Sequence, residues 1–419
     1  METAPWQEVE GEGLATFVPR TGSDYYSWSQ VTDLFPWIHS GSQFKRTWPI
    51  GPSKSVLERR WDALCEARGA NRARAMRETS FRSLQAKVTS LAKTSAPLKP
   101  IGKIALGDEH EGVKRYGYRS FDRQWAIADN RLADRPRPPL WSVRSEHQVF
   151  FTTLTSTKLG RGPVLAATPY VPDLDHFSGR GAKNVMPFWR NSQASEANIT
   201  RGLLDALSQE LGTTVEPEDL AAYVYGLLGT SAFADRFSAE LDEGAGPVRV
   251  PLTSDADFFD QTAALGRDLL WWHTWGKRFS PDGIAELPTG SGVQVEPVRG
   301  YPASFKYDAG DQRLTVGTGI FSPVAPEVWQ FEVSGLRVLQ SWLAYRMVEG
   351  KGRKSSPLDD IRPERWTFTD ELLRLLSILE HTIDVTPAAA KLLDEIVSGP
   401  LVDPADLPSP TDGERKPPH

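Results

Sequence analysis

The stretch Tyr116-Gly-Tyr-Arg-Ser-Phe-Asp-Arg-Gln-Trp-Ala-Ile-Ala-Asp-Asn-Arg131 decides how the rest of the chain is read. Four aromatic residues, Tyr116, Tyr118, Phe121 and Trp125, share it with Arg119, Arg123 and Arg131. Rings interleaved with guanidinium forks suit a surface that holds phosphates and base edges. The same composition suits a buried strand and turn with charged ends, because aromatic side chains favour half-buried pleated backbone. Composition leaves both readings open.

Outward from this stretch, strand and helix patterns alternate. Arg135-Pro-Arg-Pro-Pro-Leu-Trp141, Gln148-Val-Phe-Phe-Thr-Thr-Leu154, Gly162-Pro-Val-Leu-Ala-Ala-Thr168 and Val185-Met-Pro-Phe-Trp-Arg190 make 113–190 β-rich. Residues 196–290 are mainly helical. Leu220, Tyr223, Val224, Leu227 and Leu228 line one stripe of a helix expected over 217–237, and another is expected over 258–275. His273, in the second, reads as a satisfied core histidine. A hairpin is expected at 305–316 around an Asp-Gly-type turn. A strand over 328–333, a helix over 336–346 and two amphipathic helices, 366–383 and 387–396, follow. On the N-terminal side, 53–93 read as helices with a run of arginines from Arg72 to Arg82, then a proline-bearing linker to 112.

The 419 residues, 39% apolar and 24% charged, fit a multi-part globular protein. No apolar run is long enough to span a membrane, and the first residues lack a secretory pattern. A single cysteine, Cys65, leaves no internal disulfide and fits a reducing cytoplasm. The net charge is −6, yet residues 41–125 hold 18 Lys and Arg against 8 Asp and Glu. Charge segregated in this way suits one face turned toward a polyanion, or a solvated helical face.

Tyr118-Arg-Ser-Phe-Asp-Arg-Gln-Trp125 resembles the Tyr-Arg-Pro-Phe-Asp-x-Arg-Trp signature of the C-terminal specificity domain of type ISP restriction-modification enzymes. Those are single chains joining a nuclease, a translocating ATPase, an adenine-N6 DNA methyltransferase and a target recognition domain. Two further blocks fit in order: Ala222-Tyr-Val-Tyr-Gly-Leu-Leu-Gly-Thr-Ser-Ala-Phe233, and Glu327-Val-Trp-Gln-Phe331 continuing through Ser334–Arg346 to Gly352–Arg362. The resemblance covers roughly 6–397.

It implies an α+β fold: a mixed twisted sheet for target recognition, a helical spacer and C-terminal helices. Residues 1–40 are expected to be the tail of a methyltransferase domain. Residues 41–112 are expected as a lead-in segment and helical spacer, 113–290 as a β-rich recognition core with a helical insert, 291–398 as a C-terminal strand and helix subdomain, and 399–419 as a disordered tail. The implied function is recognition of double-stranded DNA within a restriction-modification system for phage defence, as a split specificity subunit or the product of a broken gene. The expected DNA contacts are Lys45, Arg46, Arg115, Tyr118, Arg119, Arg123, Arg180, Lys183 and Asn184, with the shared motif more scaffold than reader. Within Ser40-Gly-Ser-Gln-Phe-Lys-Arg46, Phe44 replaces the family's usual threonine, which weakens transfer of any contact to that position.

Catalytic patterns are absent from the sequence. It has no Asn/Asp-Pro-Pro-Tyr/Phe loop for a flipped adenine, no glycine-rich turn for S-adenosylmethionine and no phosphate loop. Pro172-Asp-Leu-Asp175 lacks the Asp/Glu-x-Lys half of a metal nuclease, and the histidines show no zinc spacing. No cofactor is expected here; S-adenosylmethionine and ATP would belong to missing domains or to a methyltransferase/translocase partner. Two alternatives remain. One is an enzyme using Asp173, Asp175 and His176. The other is a module that docks on a methyltransferase chain through exposed aromatics of residues 1–40.

Overall fold

The computed structural model describes residues 24–91, 97–179, 183–243, 246–284, 286–348 and 356–418. Helices and antiparallel sheets are mixed throughout, as an α+β fold requires. Among the described residues no helix is long and apolar enough to cross a membrane.

The signature stretch is a hairpin. Val113–Arg119 pairs antiparallel with Asp122–Ile127, and Ile50–Gly51 adds a third strand against Trp125 and Ala126. Tyr116 turns into one core, stacked on Trp141 and edge-on to Phe44. Arg115 and Arg123 point to the other side, toward Glu371. Period-two alternation separates the two sets. At the turn, Phe121 takes a left-handed φ of 61° and is buried against His273 and Phe331.

A second sheet orders His39–Ser40, Lys183–Pro187, Phe150–Leu154 and Ala166–Thr168, all antiparallel. Every residue of Phe150–Leu154 is buried, because both faces are covered. Phe150 and Val185 face one hydrophobic core with Trp37, Trp48 and Tyr116, whereas Phe151 and Met186 face a larger one built on the helices.

In that larger core, Pro217–Leu228 and Ala256–His273 lie in close contact. A Cβ on Gly266 would stand 1.7 Å from the Ala222 carbonyl oxygen, and one on Gly226 would stand 2.3 Å from that of Thr262. Asp255 starts the second helix by accepting from the Asp257 and Phe258 amides. His273 is buried between the Tyr225 and Thr382 hydroxyls, the core role expected of it.

The C-terminal part carries a four-stranded sheet ordered Val293–Glu296, Gly319–Ser322, Arg313–Val316, Phe305–Asp308, which includes the expected hairpin. Of the strand expected over 328–333 only Glu332–Val333 forms, paired with Leu336–Arg337; before it Pro326–Gln330 is a short helix, started by a proline at its first turn. The two expected terminal helices are one, Thr369–Ser398, with Pro387 inside. Buried Leu379, Thr382, Ala389, Leu393 and Ile396 keep one face packed on both sides of the proline, which outweighs the lost hydrogen bond.

Three expected boundaries are corrected. Tyr25, Trp28, Phe35 and Trp37 are buried in the two cores, so 24–40 belongs to this fold and offers no exposed aromatic docking face; residues 1–23 lie outside the described residues. Of the 53–93 helices, Lys54–Glu66 and Gly69–Met76 form, and residues 77–91 beyond them are irregular. The proline-rich tail is placed: Leu401 bridges Thr253, Arg190 donates to the Glu414 and Lys416 carbonyls, and Arg415 pairs with Asp33 at 2.8 Å. Prolines preset φ, so ordering this tail costs little entropy once such partners exist.

Candidate nucleic-acid interface

The lead-in loop and the signature hairpin are locked together. A Cβ on Gly41 would stand 2.4 Å from the Asp173 carbonyl oxygen, so only glycine lets the chains approach there. The Ser42 amide donates to the Pro172 carbonyl, and the Leu174 amide to that of Ser42. The Tyr116 hydroxyl, fully buried, lies 3.0 Å from the Ser42 carbonyl oxygen and 2.9 Å from the Asp173 carboxylate. Arg119 donates to the other oxygen of that carboxylate at 2.9 Å. Asp173 is thus a structural acid, and the buried His176 beside it is held by the Thr152 hydroxyl at 2.8 Å, its pKa pushed down to about 3 by burial and by Arg119. Asp173 and His176 therefore bind parts of the fold to one another.

Most of the expected DNA contacts are inside this framework. Arg46 is buried and spends its guanidinium on the Arg77, Leu132 and Arg82 carbonyls at 2.6, 2.6 and 3.2 Å. Burial lowers its pKa to about 10, with Asp134 acting in the opposite sense. Arg115 lies over the Trp125 ring and Arg123 over Trp275; both approach Glu371, at 3.7 and 3.2 Å. Arg119 covers the Tyr118 ring, and Tyr118 is buried edge-on to Tyr345. Several of the partners that hold these five, Asp173, Tyr345, Trp275 and Glu371 among them, come from distant parts of the chain.

Lys183 and Asn184 sit in a strand and are half-buried; Lys183 pairs with Asp175, and Asn184 donates to the Thr155 hydroxyl. Arg180 lies outside the described residues. Among the described residues of the expected set, Lys45 alone is exposed, reaching Asp134 at 3.1 Å. The basic helix divides likewise: Arg72 is buried on the Cys65, Ala67 and Gly102 carbonyls, whereas Arg74 is exposed.

Beside Lys45 lies a surface that sequence reading did not assemble. His39, Phe81, Asp134, Arg135, Arg137 and three prolines line an open cleft of about 430 Å³. Phe81 is 58% exposed at the tip of a tight turn closed by the Thr79–Arg82 bridge. That turn is anchored from behind: Arg82 donates to Asn130 at 2.6 and 2.7 Å, Thr79 bonds Asp134, and Arg46 holds the Arg82 carbonyl. Among the described residues, Arg135 and Arg137 have no acidic partner, and the Arg137 Nε has no hydrogen-bond acceptor. Lys45, Arg77 and Arg137 all hold left-handed φ values, 53°, 52° and 55°. Arg137 does so just before a proline, where sterics favour extended backbone. Such strain costs on the order of 1–3 kcal/mol per residue and is met at functional sites. Burial and the nearby Arg137 depress the His39 imidazole pKa, opposed by its bond to the Ser40 carbonyl. The signal in the sequence was the alternation Arg135-Pro-Arg-Pro-Pro; the placement of Phe81 had none.

The sequence matches the Type ISP C-terminal specificity domain over residues 33–377. No curated protein matches it. Solved structures share its fold. The DrdV–DNA complex aligns with a TM-score of 0.59 at 16% identity, covering 90% of this chain and 38% of that one. The ATP-dependent type ISP restriction-modification enzyme LlaBIII bound to DNA aligns at 0.57 and 15%, covering 90% and 24%. A nuclease-deletion mutant of the type ISP enzyme LlaGI with a DNA substrate mimic aligns at 0.52 and 14%, covering 89% and 29%. The chain therefore spans well under half the length of each of these proteins. With the signature hairpin, the lead-in loop and the packed helix pair Pro217–Leu228 and Ala256–His273 all inside the matched span, the chain belongs to the type ISP C-terminal specificity domain family.

Proposed function

We propose that this chain recognises a short asymmetric sequence in double-stranded DNA, as the specificity part of a type ISP restriction-modification system acting in the cytoplasm. The observation that carries the reading is the cleft beside the lead-in loop, where, among the described residues, Arg135 and Arg137 stand without acidic partners next to exposed Phe81 and Lys45. Cations of this kind neutralise phosphates and fix register, while neighbouring side chains read base edges. The three solved relatives are DNA complexes, which agrees with the reading.

Arg180, Lys183 and Asn184 are the second proposed contact; Lys183 would exchange Asp175 for a phosphate. An adenine in the site would be presented to a methyltransferase and translocase module elsewhere, which would hold S-adenosylmethionine and ATP. The test is selection of a randomised duplex pool on the purified chain, followed by sequencing and binding across a sodium chloride series. An enriched asymmetric motif, with affinity falling steeply as salt rises, is the expected result. Absence of duplex binding even at low salt would overturn the reading and leave docking on a methyltransferase chain as the better one.

A further inference from the structure

Among the described residues lining the cleft, Phe81 is the one large apolar side chain turned toward solvent, and it is held there by polar anchoring rather than by lack of structure. A free loop would let the ring fold back. This turn does not, because Arg82, Thr79 and Arg46 fasten both of its ends. Lys45 Nζ lies 5.7 Å from the ring centroid, and Arg135 and Arg137 line the same cleft. Asp134, the one acid lining the cleft among the described residues, is already engaged by Thr79 and Lys45. An apolar ring fixed among cations fits a partner with an anionic backbone and flat apolar faces a few ångströms behind it.

Resting on the DNA-recognition reading above, we propose that Phe81 is a wedge that packs against an unstacked base step of the bound duplex, while Arg135, Arg137 and Lys45 seat the flanking phosphates. Apolar wedges are used this way: inserting one opens a base step, and phosphate contacts on either side hold the kinked duplex. The role assigned to Phe81 is contact with bases without base-edge hydrogen bonding, so it contributes affinity and distortion rather than sequence discrimination. Arg137 contributes through its guanidinium, whose Nε has no acceptor within the described residues.

The experiment uses the full chain and two fluorescein-labelled 30-base-pair duplexes of one sequence, intact and with a central abasic site, read by anisotropy. An abasic site removes the cost of opening a step, so the wild type should bind that duplex about 3- to 10-fold more tightly. Phe81→Ala should bind the intact duplex more weakly and lose the preference, with an unchanged melting temperature because the side chain is exposed. Arg135→Gln and Arg137→Gln should weaken binding to both duplexes alike, each reducing the salt slope by about 1. Wild-type affinity and preference in Phe81→Ala would overturn the wedge while leaving DNA recognition standing. If the wild type binds neither duplex at low salt, DNA recognition itself fails and the wedge with it. Retained preference in Phe81→Ala, with loss only in the arginine variants, would mean phosphate seating alone and would also overturn the wedge.

Discussion

Arg119 and Asp173, 54 residues apart in sequence, meet at 2.9 Å in the interior, and the Tyr116 hydroxyl bonds the second carboxylate oxygen. The most recognisable arginine of the signature is therefore bound to an acid of the fold. Removing one partner of such a pair strands the other charge in a low-dielectric site, at a cost of about 3–5 kcal/mol. Arg119→Ala should lose that much stability in urea denaturation. A variant as stable as wild type would show that the pair is not structural.

Lys45 and Arg46 are adjacent and should behave oppositely. Arg46 is buried on backbone carbonyls, whereas Lys45 is exposed at the cleft. Arg46→Ala should destabilise by several kcal/mol because it leaves those acceptors unpaired. Lys45→Ala should cost less than Arg46→Ala, because Lys45 is exposed and the buried Asp134 carboxylate keeps the Thr79 hydroxyl, and it should lower duplex affinity. Paired melting and anisotropy measurements separate the two; equal melting temperatures would contradict the assignment.

Glu371, from the long C-terminal helix, faces Arg123 at 3.2 Å, Arg115 at 3.7 Å and Arg346 at 3.9 Å. Arg346 is fully buried and also pairs with Asp122 at 2.9 Å. Glu371→Gln should cost about 2–4 kcal/mol by leaving cations crowded without their shared acid. A double-mutant cycle with Arg123→Ala should return a coupling of at least about 0.5 kcal/mol; strict additivity would refute a shared network.

His176 and His273 are buried, and burial first of all drives both imidazoles down to about 3. Both are neutral in the folded protein, while the unfolded chain takes up protons near pH 6.5. The unfolded state therefore binds more protons between these values, and stability is lost as pH falls below about 6.5. The loss should reach about 2 kcal/mol per histidine by pH 5. Urea midpoints at pH 7.5, 6.5, 5.5 and 5 check this, with His176→Gln/His273→Gln expected to flatten the profile; a wild type equally stable at pH 7.5 and 5 would refute it.

Much of the architecture was legible because it rests on local periodicity. The stripe from Leu220 to Leu228, the helix ending at His273 and the 305–316 hairpin each follow from spacing or turn chemistry within a few residues. Pro387 and the prolines of the tail misled because their local effect was outweighed: packing on both sides kept one helix whole, and distant arginines pinned the other segment. Trp28, Phe35 and Trp37 looked like a separate piece because the residues that bury them lie far along the chain.

By itself, the sequence determined the fold class, the family signature and the order of its blocks, since these depend on residue type and short-range spacing. Only the tertiary structure decided which cations are free. A guanidinium is available to a phosphate only if no carbonyl or carboxylate of the protein has taken it, and those acceptors come from anywhere in the chain. Arg123 meets Glu371 across 248 residues and is occupied, whereas Arg135 and Arg137 meet no acid among the described residues and line the cleft beside Phe81.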